Sequence, residues 1–528
     1  MTNSITHQCV LGVALLGLSG TCCAQAGAGE PEFDGSLIGA VRMTLEREPT
    51  VAISRQQVVL AEAQLLLAQS AFDPVLYTSV GRDHGRAVIS GGTTSASSSD
   101  LTTDVTSYQA GLSQKLRSGI TVNPLVTVTH TRDNGLSTNA PSNAKAALNF
   151  SIPLMRGSGE EVATTEERAS AHGRDAARHL QNHAISAAIT KTVLAYWDYQ
   201  YASRSVDILL NAERQVKDQL EVAKRLGAND EIPLSEVRKY ESRLRNQAGS
   251  RIGAEQSLIE SRNSLGMAMG YPGSRVASLK APADGFELVG ETGLAPDEAG
   301  DLVDQMMAKV QERRADLLAQ ESRLSAARVQ LVAATDTQKP KVDLVLGLGY
   351  SGFNEYRQDP AALSALISNV RGPNASATLN YSWPVNKRSS EALIMQRLAD
   401  VHSAELARQS LLDNIQAAIA LQFSAVAHTA AQLKQVRAEV AIQQEVFHSE
   451  NRKYRYGLTT LLDLFTSESQ LLEAQLREIA AQRNLAQALI RLRFESGTLL
   501  EHDSARQSLD SARLVSLPRP GSVNLSPP

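Results

Sequence analysis

The stretch AEAQLLLAQSAFDPVLYTSVG, residues 61–81, changes character half-way along. Its first half is Ala, Leu and Gln, all strong helix formers. Past Pro74 it becomes VLYTSVG, rich in β-branched and aromatic residues that favour strands. Proline has no N–H to donate and pushes its predecessor into an extended conformation, so a helix reaching this point hands over to a strand. The chain does this twice. With Pro74 set over Pro340 (340 − 74 = 266), residues 48–81 lie without a gap over 314–347. Gln64 then meets Gln330, Leu65 meets Leu331, and Gly81 meets Gly347.

Two further landmark pairs extend the repeat. LNFSIPL, 148–154, matches LNYSWPV, 379–385 (379 − 148 = 231), so the first half carries 266 − 231 = 35 more residues between its prolines. KRLGANDEIPLSEVRKYESRL, 224–244, matches YRYGLTTLLDLFTSESQLL, 454–472, with Gly227 over Gly457 and Leu234 over Leu461. The order helix, strands, long helix, turn, helix therefore occurs twice, as an internal duplication.

The strand segments alternate. In KVDLVLGLGY, Val342, Leu344, Leu346, Leu348 and Tyr350 share one face, and ATLNYSWPV and LNFSIPL follow the same period. SYQAGLSQKL and GITVNPLVTVTH add two more such segments. Alternation alone fits either a sandwich or a barrel. Three details favour a membrane barrel. The segments are about ten residues long, the span of a tilted membrane strand. Their second face is small and polar, and Tyr350, Tyr381 and Trp383 suit the level of lipid head groups. The connections at 91–100, 134–145 and 351–373 are polar, as extracellular loops are.

Between the strand sets run very long helical stretches. From 160 to about 226 there is no Pro and one internal Gly, Gly173; that is roughly 100 Å of helix. Residues 389 to about 456 give a similar length. Leu461, Leu464, Leu471, Leu472, Ile479, Leu485, Leu489 and Leu492 form a narrow apolar stripe. With aromatics at 4% and only two Trp, large aromatic cores are not expected and Ala-packed rods are. A net charge of −4 gives no reason to expect a nucleic-acid partner.

The N-terminus reads as an export signal, 1–26. VLGVALLGLSG at 10–20 is its apolar core and Ala24-Gln25-Ala26 its cleavage site, although only His7 precedes the core where Lys or Arg is usual. Cys9, Cys22 and Cys23 all precede that site. A rival reading is lipid attachment at Cys22 or Cys23, for which the preceding residues are a poor match. No later stretch is long and apolar enough for a membrane helix, so a spanning chain must use a closed barrel.

These features together resemble the TolC family of outer-membrane efflux and secretion channels, over about residues 36–500. The marks are the duplicated helix-Pro-strand unit, the exits SIPLMRGSG and SWPVNKRSS, and KYRYGLTTLLDLFTSESQLLEAQ. The resemblance implies a mixed, mainly α fold: a long α-helical periplasmic barrel joined to a transmembrane β-barrel, shared by a homotrimer, with an internal duplication within each protomer. It implies strands at 74–83, 146–155, 340–350 and 375–385. A further hairpin at about 105–131 either joins the barrel or extends its rim. The repeats run 27–270 and 301–500, with a linker at 271–300 around the tunnel's middle, and a tail at 501–528 reads as disordered.

The implied function is a passive outer-membrane exit duct with a long periplasmic portion, in a Gram-negative bacterium. Its partners would be outer-membrane lipid, a periplasmic adaptor and an inner-membrane pump, in a tripartite efflux or type I secretion system. Drugs, metal ions, peptides and polysaccharide-linked compounds are all compatible as cargo. The alternative is a periplasmic coiled-coil adaptor or structural protein, which would carry one helical hairpin nested in compact β domains.

The resemblance also places a periplasmic gate at Asp463, Tyr454 and Glu236, while Thr459 and Thr466 stand where Arg and a second Asp are expected. It places adaptor-contact tips at Gly227, Ala228, Gly457 and Leu458. A solvated helix residue is the plainer reading of Asp463, and a plain helix cap that of the tips. No catalytic constellation, cofactor loop or metal spacing is present; His172, His179 and His183 share a helix face without a clustered carboxylate or Cys, which suits a solvated surface better than a metal.

Overall fold

A computed structural model of the chain describes residues 33–89, 99–134, 142–286, 299–354 and 370–500, with 514, 516 and 517. The expected export signal and nearly all of the tail lie outside the described residues, as do linker residues 287–298.

Helix α1, Leu37–Arg47, is capped by Ser36, whose hydroxyl accepts from Gly39 N at 2.9 Å. Helix α2, Pro49–Gln69, starts on a proline whose missing N–H costs nothing at that position. A 3₁₀ turn, Ser70–Phe72, tightens its end, and strand β1, Val75–Ile89, begins right after Pro74. Strands β2, Ser99–Lys115, β3, Thr121–Asp133, and β4, Ser142–Pro153, follow. The chain then returns to helix in a short α3, Glu160–Ala163, the rod α4, Thr165–Ala228, and α5, Leu234–Ala268.

The second half repeats the order. Helices α6, Ala299–Arg313, and α7, Ala315–Asp336, lead to β5, Lys341–Asn354, and β6, Val370–Ser382. The rod α8, Arg388–Arg455, and α9, Leu461–Glu495, complete it. Corresponding helices match in length: 21 and 22 residues for α2 and α7, 64 and 68 for α4 and α8, and 35 each for α5 and α9. At 1.5 Å per residue each rod is about 100 Å long.

The strands form one antiparallel sheet in the order β1-β2-β3-β4-β5-β6, so the hairpin of about 105–131 lies inside the sheet. Each strand runs further at the loop end than the sequence period indicates, because it continues past its apolar stretch into polar residues such as Arg82 and His84, whereas β4 and β6 stop at Pro153 and Ser382, short of the expected 155 and 385. Paired residues put Leu76, Leu112, Leu148 and Leu348 on one face, with Leu346, Phe150, Leu344, Ile152 and Leu379 beside them. The other face carries Ser79, Gln109, Asn149, Gly347, Ser376 and Asn380. Leu76, Val80, Leu348, Leu379 and Tyr381 are exposed on the apolar face. Tyr350 pairs with Pro373 and Tyr381 with Val342, so the two tyrosines mark opposite ends of a belt about 26 Å long along the strand. Trp383 follows Tyr381 at the helical end, with Lys387 Nζ 4.7 Å from its ring centroid.

The main core sits midway along the rods. Trp197 on α4 is fully buried, edge-on to Tyr196 at 5.5 Å and stacked on Phe286 at 5.3 Å. Tyr196 Oη donates to Gly35 O at 2.9 Å and accepts from Asp284 N at 3.0 Å, and Asp284 accepts from Leu37 N at 2.7 Å. The start of α1 and the described part of the linker therefore clasp α4 together. Ile415, Ile419 and Phe423 of α8 and Leu485, Leu489 and Leu492 of α9 complete this core. Among the described residues no helix is apolar enough to cross a membrane.

Candidate functional site

The two turns far from the sheet, α4–α5 and α8–α9, form the tip. Helix α8 ends in a Schellman motif. Leu458 N donates to Lys453 O at 2.9 Å and Gly457 N to Tyr454 O at 3.0 Å. Gly457 has φ of +69°, where a side chain is strained. Leu458 projects into solvent, 75% exposed.

The first tip is built differently. Gly227 and Ala228 still belong to α4, and the left-handed residue is Asp230, φ +57°. Gly227 serves packing, since a Cβ there would stand 3.0 Å from Val237 Cγ2. Its missing side chain lets α4 and α5 approach.

Beneath the turns lies a small core of Leu220, Ala223, Val237, Tyr240 and Leu461, with Tyr454 and Phe465 against it. Tyr454, on α8, packs against the core that holds Tyr240, on α5, and burial pushes the Tyr240 hydroxyl pKa well up. Glu236 stands one helical turn before Tyr240 on α5.

Asp463 is engaged elsewhere. It forms a capping box on α9: Asp463 N donates to Thr460 Oγ1 at 3.3 Å and Thr460 N donates to the Asp463 carboxylate at 3.2 Å, which the Thr460 hydroxyl also reaches at 2.6 Å. Thr459 Oγ1 adds a bond at 3.2 Å. The Thr460 hydroxyl, then the Thr460 N–H, hold the exposed carboxyl below its ordinary pKa. Thr466, where the resemblance expects Asp, donates back to Leu462 O at 2.8 Å.

The charged pair that ties the helices together is one the sequence reading missed. Arg243 on α5 lies 2.8 Å from Glu468 on α9, both largely buried. Arg243 also donates to Phe465 O at 3.1 Å, and its guanidinium sits 4.2 Å from the Phe465 ring centroid. That ring meets Tyr240 edge-on at 4.9 Å. Gln219 of α4 reaches Glu468 at 3.5 Å. Burial pushes the Glu468 carboxyl above its usual range, and the nearby Arg243 pulls it back only in part. A signal existed: Glu468 falls seven residues after Leu461, on the buried stripe where an unpaired charge is costly.

Among the described residues no group of three or more His, Cys, Asp or Glu is placed to hold a metal. His183 faces Asp316 at 3.8 Å and the Phe494 ring at 5.6 Å; burial lowers its pKa.

Residues 306–498 match the family described as outer membrane efflux protein. No curated protein sequence matches the chain. The fold is similar to the Campylobacter jejuni CmeC outer membrane channel, at TM-score 0.62 and 13% identity, covering 90% of this chain and 88% of that one. It is similar to the outer membrane protein VceC from Vibrio cholerae, at 0.61 and 16%, covering 87% and 96%. It is also similar to the open state of the Neisseria gonorrhoeae MtrE outer membrane channel, at 0.59 and 14%, covering 87% and 88%. The outer membrane efflux protein model thus matches most of the second half of the chain, and the chain as a whole shares its fold with these outer-membrane channels.

Proposed function

We propose that three copies of this chain form an outer-membrane duct through which an inner-membrane pump and a periplasmic adaptor discharge their cargo, with no catalytic step. The observation that carries this is the sheet. One face is mainly apolar across the protomer, the opposite face is mainly polar, and among the described residues β1 and β6 each have one strand neighbour. In lipid an open sheet edge is not viable. Joining β6 of one copy to β1 of the next satisfies both edges by rotation, and the polar faces then line a water-filled lumen. The rods continue that lumen through the periplasm.

In this reading the tip is the gate. Arg243–Glu468 bridges α5 to α9, Tyr454 of α8 packs against the core that holds Tyr240, and Glu236 stands one turn before Tyr240 on α5. Three Asp463 carboxylates around the axis would form a cation-attracting ring, and Leu458, with the turns at Gly227-Ala228 and Gly457, meets the adaptor. Detergent extraction of membranes followed by planar-bilayer recording tests the function. A heat-sensitive trimer that conducts, with cation block weakened in Asp463→Ala, is the expected outcome. Cation block identical in wild type and variant removes Asp463 from the gate, and a water-extracted monomer rejects the duct.

A further inference from the structure

We propose that the β2–β3 hairpin is barrel wall in contact with lipid, so that three copies close a ring of eighteen strands (three times six) where four strands per copy would give twelve. This rests on the trimeric outer-membrane reading and goes beyond it. Barrel diameter grows about linearly with strand number, so the exit is about 1.5-fold wider.

The hairpin spans the sheet from its base and is not an extension of its rim. Its turn, 116–120, lies at the helical end. There Arg117 donates twice to Glu167 of α4, at 3.0 Å each, and sits 5.2 Å from the Phe72 ring centroid. Gly119, φ +91°, passes so close that a Cβ would stand 2.6 Å from Gly157 O.

Its register follows that of the whole sheet. Val75 pairs with Ser113, two residues short of the end of β2 at Lys115. Thr121 pairs with Ser151, two short of Pro153, and Pro153 pairs with Asp343, two short of Lys341. The strand bases thus step by six residues over five neighbours. With 3.3 Å per residue and 4.8 Å per strand, that is a tilt of about 40°, the slope of a barrel wall.

The chemistry of its two faces continues that of the flanking strands. Tyr108 pairs with Val80 and Val128, Val128 with Ala144, and Val126 with Ala110 and Ala146. One register row higher the same face turns polar on β1 to β4, through Arg82, Thr106, His130 and Ser142. The change from apolar to polar therefore runs through the hairpin and its neighbours without a break. On the other face Ser107, Gln109, Thr127 and Thr129 continue the polar lining. Here Tyr77 of β1 lies across Gly111 of β2 and donates to Asn123 of β3 at 2.8 Å. That bond bridges the point where the β2–β3 ladder is interrupted beside Pro124, which has no N–H to give.

The test uses single cysteines in the trimer reconstituted in phosphatidylcholine vesicles containing nitroxide-labelled lipid. Y108C and V126C report the apolar face of the hairpin, where both side chains are exposed, and Q109C and T127C its polar face. L348C and N149C are references outside the hairpin. With a bimane label, quenching at positions 108 and 126 as strong as at 348, and reaction of 109 and 127 with a membrane-impermeant maleimide as fast as that of 149, is expected. Hairpin positions that are all reactive and unquenched, while the references alternate, overturn the inference. References that fail to alternate overturn the outer-membrane reading instead. Deletion of 99–133 leaves β1 and β4 antiparallel, and is expected to narrow the ring seen by electron microscopy by about a third; an unchanged ring diameter counts against the inference.

Discussion

At the scale of single residues, the tip depends on a buried charge pair. Removing one member leaves the other unpaired in an apolar setting, so Glu468→Ala should destabilise the tip by about 3–5 kcal/mol. The double variant Arg243→Met, Glu468→Leu should recover most of that loss, because the desolvation of both charges goes with them. Thermal unfolding of the three variants checks this, and a double variant as unstable as the single one contradicts it. The pair also sets a pH response. Burial raises the Glu468 pKa in the packed tip, so the packed form binds its proton more tightly than a form that exposes it. That stabilisation is fully present below the ordinary carboxylate pKa and is lost as pH rises through the raised one. Single-channel conductance should therefore fall as pH is lowered between those two values, and Glu468→Gln should flatten the response. Asp463 has the opposite sign, since its pKa is lowered. Its capping contribution is present above the ordinary value and lost as pH falls through the lowered one. The Arg243–Glu468 pair was hard to read in advance because it joins α5 to α9 across more than two hundred positions, which no local period reports. Tyr454 was singled out in advance because the tip motif that carries the resemblance is continuous in sequence around it.

At the scale of elements, the handovers at Pro74 and Pro340 are local events and were legible from local chemistry. Strand ends were not, because polar rim residues extend each strand past its apolar core. The two glycines aligned by the repeat illustrate the same limit. Gly457 provides a left-handed turn, and Gly457→Ala should cost about 1–2 kcal/mol. Gly227 provides a close approach of α4 to α5, so Gly227→Leu should splay the tip and raise leak conductance while Gly227→Ala has a much smaller effect. Equal leak in the two variants would show that packing at Gly227 is not what holds the pair closed. A repeat alignment equates the two positions, and only tertiary packing separates their roles. The placement of the extra hairpin was illegible for a related reason. Alternation marks its strands, but their neighbours are fixed by pairing with β1 and β4.

At the scale of the whole molecule, the protomer is unfinished. Among the described residues its sheet has two open edges, and apolar side chains such as Leu66 and Leu67 on α2 and Leu406 and Leu421 on α8 stand exposed. In the proposed trimer, copies of the chain seated edge to edge would cover both, so ring and tunnel are expected to form together. Each copy would bring two rods and two helical hairpins of matched length. The most direct test is the native mass of the detergent-extracted protein, combined with disulfide trapping between cysteines placed on β1 and β6. The account predicts a particle of three chains in which trapped β1–β6 links join different copies into closed trimers. A monomer in which β1 and β6 of the same chain are linked would contradict it.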